Sequence, residues 1–121
     1  MKKTILLVDD EIDIQNRYLL QVGYDVLVAH DGKEGLELFK KKKSIDLIIT
    51  DIMMPNMDGY DFISEVQYIA PDQPFLFTTA KTSEQDKIYG LSFGGYDFIA
   101  KPFSLRELVL RVNNILRRLS R

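Results

Sequence analysis

Five short β-rich runs punctuate this chain, with a helix-length stretch between each pair. The runs are "TILLVD" (4–9), "DVLVA" (25–29), "DLIITD" (46–51), "FLFTT" (75–79) and "DFIA" (97–100). Between and after them, apolar residues recur at helical spacing. In 58–70 they are Phe62, Ile63, Val66, Ile69 and Ala70; in 104–119 they are Leu105, Leu108, Val109, Val112, Ile115, Leu116 and Leu119. Ser104, followed three residues later by Glu107, has the form of a capping box. Asp31 or Gly32 can open a helix through 33–42, and 11–22 and 82–93 fit as the remaining helices. Five strands alternating with five helices predict an α/β domain whose parallel sheet is covered on both faces. Right-handed crossovers then place every strand's carboxyl end on one rim, where such sheets bind ligands.

The residues expected on that rim are chemically pointed. Strand 1 runs out into "LLVDDE", so Asp9 and Asp10 close it. Strand 3 ends at Asp51, strand 4 at Thr78 and Thr79, and Lys101 and Pro102 follow strand 5. Neighbouring strands lie roughly 4.8 Å apart, so their terminal side chains can meet. Two carboxylates about 4 Å apart repel by roughly 1 kcal/mol in water and by more in a drier cleft. Three need a cation or a raised pKa. Crowded carboxylate oxygens suit Mg²⁺, with Lys101 as a second, fixed positive charge. A carboxylate beside a metal and a lysine is equipped to accept a phosphoryl group as an acyl phosphate.

Composition narrows the class. The 121 residues are 45% apolar and 28% charged, with a net charge of -2 and no cysteine. That suits one ordinary domain, expected to occupy 1–121, and excludes a disulfide framework. No global basic field favours nucleic acid as a direct partner. No apolar stretch is long enough for a bilayer, and Ile5–Val8 is too short for a signal-peptide core, so a cytoplasmic chain without membrane contact is expected.

The stretches "ILLVDDE", "GYDVLVAHDGKEGLEL", "DLIITDIMMPNMDG", "TTAK", "GLSFGGYDFIAKPF" and "ELVLRV" occur in the order found in the receiver domains of two-component response regulators. The sequence resembles that family over nearly its whole length. The resemblance implies a flavodoxin-like, doubly wound sheet of order 2-1-3-4-5. It implies phosphorylation on Asp51 by a sensor histidine kinase or phosphotransfer protein. Mg²⁺ would be held by Asp10, by Asp9 partly through water, by Asp51 and by the backbone carbonyl of Met53. Thr79 would be the hydroxyl that approaches the phosphoryl group, Lys101 would pair with that group across a cis bond to Pro102, and Phe98 would be the aromatic switch. Such a domain is a phosphoacceptor that assists its own phosphorylation and slow dephosphorylation, not a turnover enzyme.

Plainer roles compete for some of these residues. Asp9 and Asp10 could cap a helix, Asp51 could serve the following turn, and Thr79 could be an ordinary strand residue easily confused with Thr78. Phe98 alone would be core. His30, the only histidine, is expected to be a loop residue. Met53, Met54 and Met57 are expected to be gap-filling packing, and Lys40–Lys43 a solvated helix end. A haloacid-dehalogenase-type phosphatase would need its acid at Glu11 and a cap domain. A flavin or nucleotide carrier would need a glycine-rich loop after strand 1, which is missing here. A pure interaction module would have no use for the full set of acids, hydroxyl and lysine.

Two departures from the family pattern stand out. Eleven residues separate Glu11 from Gly23, roughly one helical turn fewer than the family's usual spacing, so the first helix should be short or start abruptly. Many winged-helix members carry two acids where this chain has Tyr96 and Asp97. Lys87, Asp97, Glu107, Arg111 and Arg118 fit those members' intersubunit charge pairs, so a homodimer through helix 4, strand 5 and helix 5 is expected. Lys81 and Met53 are expected to flank the attacking water and set the phosphoryl lifetime. The start at Met1 suggests an N-terminal or stand-alone receiver. The ending "ILRRLSR" resembles the point where winged-helix members continue toward a DNA-binding domain, so DNA would be reached only through a domain outside this chain.

Overall fold

Alternating apolar runs and helical stretches become alternating strands and helices. The computed structural model describes residues 2–42, 44–80, 84–93 and 97–119. Among them the order is β1 (Thr4–Val8), α1 (Asp13–Gln21), β2 (Asp25–Ala29), α2 (Gly32–Lys41), β3 (Leu47–Asp51), α3 (Gly59–Ile69), β4 (Phe75–Thr79), α4 (Glu84–Leu91), β5 (Asp97–Ala100) and α5 (Leu105–Leu119). All strand pairings are parallel and the sheet order is β2-β1-β3-β4-β5. The expected architecture is therefore observed, with element ends shifted by a residue or two. Strand 1 stops at Val8, so Asp9 lies just beyond it, its N–H donating to the Ala29 carbonyl at 3.1 Å.

The period of two along each strand divides the core between the sheet's faces. Ile5, Leu7, Leu47, Ile49, Leu76 and Ile99 pack under α1 and α5, against Leu19, Leu108, Val112 and Ile115. Leu6, Val8, Ile48, Phe75 and Phe77 pack on the other face, against Phe62, Ile63 and Val66 of α3. β3, in the middle, is buried along its whole length. Ile69 departs from the expected α3 stripe: it lies at the helix end and is 47% exposed.

Local chemistry sets the helix ends. Glu107 N–H donates to Ser104 Oγ at 3.0 Å, half of the expected capping box, while the Glu107 carboxylate turns to Arg111 at 3.2 Å. Lys40 and Lys41 are exposed in the last turn of α2, as expected; Lys43 lies outside the described residues. α1 is short, nine residues, and starts without a side-chain cap at Ile12. It ends at Gly23, whose φ of +104° needs a residue without a Cβ. Gly59 opens α3 directly behind Asp51, where an added Cβ would stand 2.3 Å from the Asp51 carbonyl oxygen. Only glycine lets α3 start that close to the end of β3.

Asp31 caps α2 and ties two loops together. One carboxylate oxygen accepts from Glu34 N–H at 2.9 Å, the other from Asn56 Nδ2 at 2.7 Å. Asn56 has a φ of +67°, tolerable for asparagine. The Glu34 and Asn56 bonds hold the Asp31 carboxyl below its ordinary pKa. A depressed folded pKa gives stability that is present above the unfolded carboxylate pKa, about 3.9, and lost as pH falls through the folded value. Asp31→Ala is expected to cost roughly 1 kcal/mol at pH 7. In urea melts the gap from the parent should narrow below about pH 4; a gap independent of pH would contradict the assignment.

Candidate functional site at the carboxyl rim

The rim gathers the acids that the sequence singled out. Carboxylate oxygens of Asp9, Asp10 and Asp51 lie within 4.8 Å of one another. Asp9 is 1% exposed and Asp51 6%, while Asp10 is exposed. Lys101 enters from the end of β5. Its Nζ donates to Asp9 Oδ2 at 2.9 Å and to Asp51 Oδ2 at 3.3 Å. The Lys101–Pro102 bond is cis, as the resemblance implied.

The remaining lone pairs are held by backbone and amide donors. Asp51 Oδ1 accepts from Ile52 N–H at 2.8 Å, and Asp9 Oδ1 from Glu11 N–H at 3.0 Å. Thr50 Oγ1 donates to the Asp51 carbonyl at 2.9 Å, fixing the backbone beneath the acid. Burial raises the Asp51 carboxyl pKa; Lys101 opposes this and Asp9 adds to it. Burial pushes the Lys101 ammonium down, but its hydrogen bond to Asp9 and the charges of Asp51 and Asp9 outweigh that, so its pKa is raised. Among the described residues, these three carboxylates and the Lys101 ammonium carry a formal charge of -2. A hard cation with oxygen ligands fits that set. Beside it opens a cavity of about 950 Å³, lined by Asp10, Glu11, Ile12, Asp13, Gln15, His30, Ala80, Lys101, Pro102, Phe103 and Leu105.

Thr78 and Thr79 are both fully buried. Thr78 stands opposite Asp51 in the β3–β4 register, so proximity along the ladder alone would favour it. By alternation Thr78 lies on the face of Leu76, as Asp51 lies on that of Ile49, and its Oγ1 has no hydrogen-bond partner among the described residues. Thr79 belongs to the face of Phe77 and Phe98, and its carbonyl accepts from Lys101 N–H at 2.7 Å. Phe98 is partly buried there. His30 is exposed, with Nδ1 3.5 Å from Glu34 Oε1, in keeping with a loop role.

Two points differ from the sequence expectation or extend it. Met53 is 57% exposed, so it is not packing; its side chain leaves the loop while Met54 and Met57 stay against the core. Gln15 was not foreseen: it is buried and reaches Asp9, a consequence of where α1 begins. Lys81 and Tyr96 lie outside the described residues, as do the side chains of Lys87 and Asp97.

A five-stranded parallel sheet of this order, with acids from two strands bridged by a lysine after the fifth, defines a class of signalling domain. The family model for the response regulator receiver domain matches residues 5–113. The response regulator SaeR of Staphylococcus epidermidis is 48% identical over 120 residues, 97% of this chain and 52% of that protein. The chain thus spans about half the length of the curated relatives it matches. A CheY-like receiver domain protein from Methanospirillum hungatei superposes with a TM-score of 0.90 at 26% identity, covering 98% of this chain and 96% of that one. The CheX–CheY–BeF3–Mg²⁺ complex from Borrelia burgdorferi gives 0.88 at 26% identity, over 93% and 88% of the chains. The chain belongs to the response regulator receiver domain family. It is a two-component signalling domain, and no helix among its described residues is long and apolar enough to cross a membrane.

The bridging ammonium makes a measurable stability claim. In EDTA, Lys101→Met is expected to cost roughly 2 kcal/mol, because Asp9 then loses its counter-charge while buried. Adding Asp9→Asn should recover at least half of that in urea melts. Full additivity of the two changes would show that the pair does not interact.

Proposed function

We propose that Asp51 is the phosphoacceptor and that a sensor histidine kinase or phosphotransfer protein is its donor. The observation that carries this is the single ammonium, Lys101, bridging Asp9 and Asp51 beside the exposed Asp10. A carboxylate oxygen of Asp51 attacks the phosphorus of a phosphohistidine. The P–N bond breaks, its electron pair stays on the imidazole nitrogen, and an acyl phosphate forms. Asp9, Asp10, Asp51 and the Met53 carbonyl would hold Mg²⁺. Bound there, Mg²⁺ supplies neutralisation of the phosphoryl oxygens and a template for the donor. The Mg²⁺ and BeF3 in the Borrelia complex support that choice of ion.

Lys101 then turns from Asp9 toward the new phosphoryl oxygens, and the Thr79 hydroxyl donates to one of them. Thr79 and Phe98 share a face of the sheet, so movement of one changes the space available to the other. Phosphorylation biases two pre-existing arrangements of the α4–β5–α5 surface. The domain is a phosphoacceptor with slow self-dephosphorylation and not a turnover enzyme, acts in the cytoplasm, and occupies 1–121. Similarity to SaeR supports a transcriptional output through a DNA-binding domain outside this chain. A stand-alone phosphorelay receiver is the alternative.

Asp51→Asn is expected to abolish the phosphoryl adduct formed with acetyl phosphate and Mg²⁺, read by intact-protein mass spectrometry, with the fold intact by circular dichroism. An undiminished adduct would refute Asp51. The active form is expected to dimerise through α4, β5 and α5, where Glu107 and Arg111 would exchange their internal pair for intersubunit ones. Sedimentation with beryllofluoride and Mg²⁺ should show the dimer; a monomer at high micromolar protein would count against it.

A further inference from the structure

The first turn of α1 delivers one more side chain to the acids. Gln15 is 9% exposed, and its Nε2 donates to Asp9 Oδ2 at 3.3 Å and to the Glu11 carbonyl at 3.4 Å. Asp9 Oδ2 therefore has two donors, a charged one from Lys101 and a neutral one from Gln15. The amide's orientation follows from its partners, because an oxygen in the place of Nε2 would face both a carboxylate and a carbonyl. Gln15 Oε1 is buried and has no hydrogen-bond partner among the described residues. A buried acceptor left without a donor is costly, so Oε1 calls for a donor that the described residues do not supply.

Taking Asp51 as phosphoacceptor and Mg²⁺ as its cation, we propose that Gln15 is a positioning residue for Asp9. Its N–H keeps Asp9 Oδ2 in place when Lys101 leaves for the phosphoryl group, and its Oε1 accepts from a water on the bound cation. The division of labour follows from charge. An ammonium is drawn to whichever oxygens are most negative, so Lys101 changes partner when Asp51 is phosphorylated. A neutral amide anchored to the Glu11 carbonyl does not follow it. Asp9 thus keeps an orienting donor through the whole cycle, the role that outer partners of metal ligands commonly fill. The sequence left this contact open because it depends on the abrupt start of α1 at Asp13, which sets Gln15 one turn after Glu11.

The test uses the full 121-residue chain. Gln15→Met keeps the length of the side chain and removes both polar atoms. Its Mg²⁺ dissociation constant, by isothermal titration calorimetry, is expected to rise about tenfold, the lower end of the usual loss for an outer partner. Its melting temperature in EDTA should stay close to the parent's, because loss of the bond to Asp9 is offset by removal of the partnerless Oε1, whereas a purely structural role would lower it. In the parent, the Gln15 side-chain amide signal should shift on adding Mg²⁺ with the same midpoint as the Ile52 backbone amide. That measurement stands even if the variant does not fold. A dissociation constant within twofold of the parent's, or a Gln15 amide signal indifferent to Mg²⁺, would overturn the assignment. A parent that does not bind Mg²⁺ at all would bring down the metal reading itself along with this inference.

Discussion

Carboxylates that would repel one another share one small space, and a single ammonium stands between two of them. Lys101 satisfies Asp9 and Asp51 together, at 2.9 and 3.3 Å. The parallel sheet imposes this crowding, because it sends every strand's carboxyl end to the same rim. Among the described residues, Lys101 sets one positive charge against the three negative ones of the acidic cluster. An acidic cluster of this kind can hold a divalent ion.

The supports around the acids are mostly backbone groups, which do not move when side chains do. Ile52 N–H and Glu11 N–H hold the inner oxygens, and the hydroxyl of Thr50 holds the carbonyl of Asp51. Gly59 lets α3 begin against that same carbonyl. The two loops that close the rim from the β2 and β3 sides are joined through Asp31 and Asn56. The anionic half of the site is therefore held by fixed donors.

What could be read in the sequence was what depends on period and neighbours in the chain. Short β-rich runs marked the five strands, helical spacing marked α5, and Ser104 with Glu107 marked its start. Asp51 and Lys101 were legible because strand ends in a parallel sheet must meet. What escaped depends on angular phase and distant packing. The choice between Asp31 and Gly32 as cap needed the backbone conformation, which is extended at Asp31. The exposure of Met53 follows from how its loop turns, and apolar character alone misplaced it. Gln15 reaches Asp9 only because α1 begins where it does, and no local signal marks that start: Ile12 offers no capping side chain.

β5 is one of the sheet's two edge strands, hydrogen-bonded to β4 on one side. Lys101 hangs from its tip, whereas Asp51 belongs to the innermost strand. The cationic arm thus rides on an outer rib of the fold, and Asp51 on its keel. A small tilt of that rib alters the distance between opposite charges without disturbing the central strand.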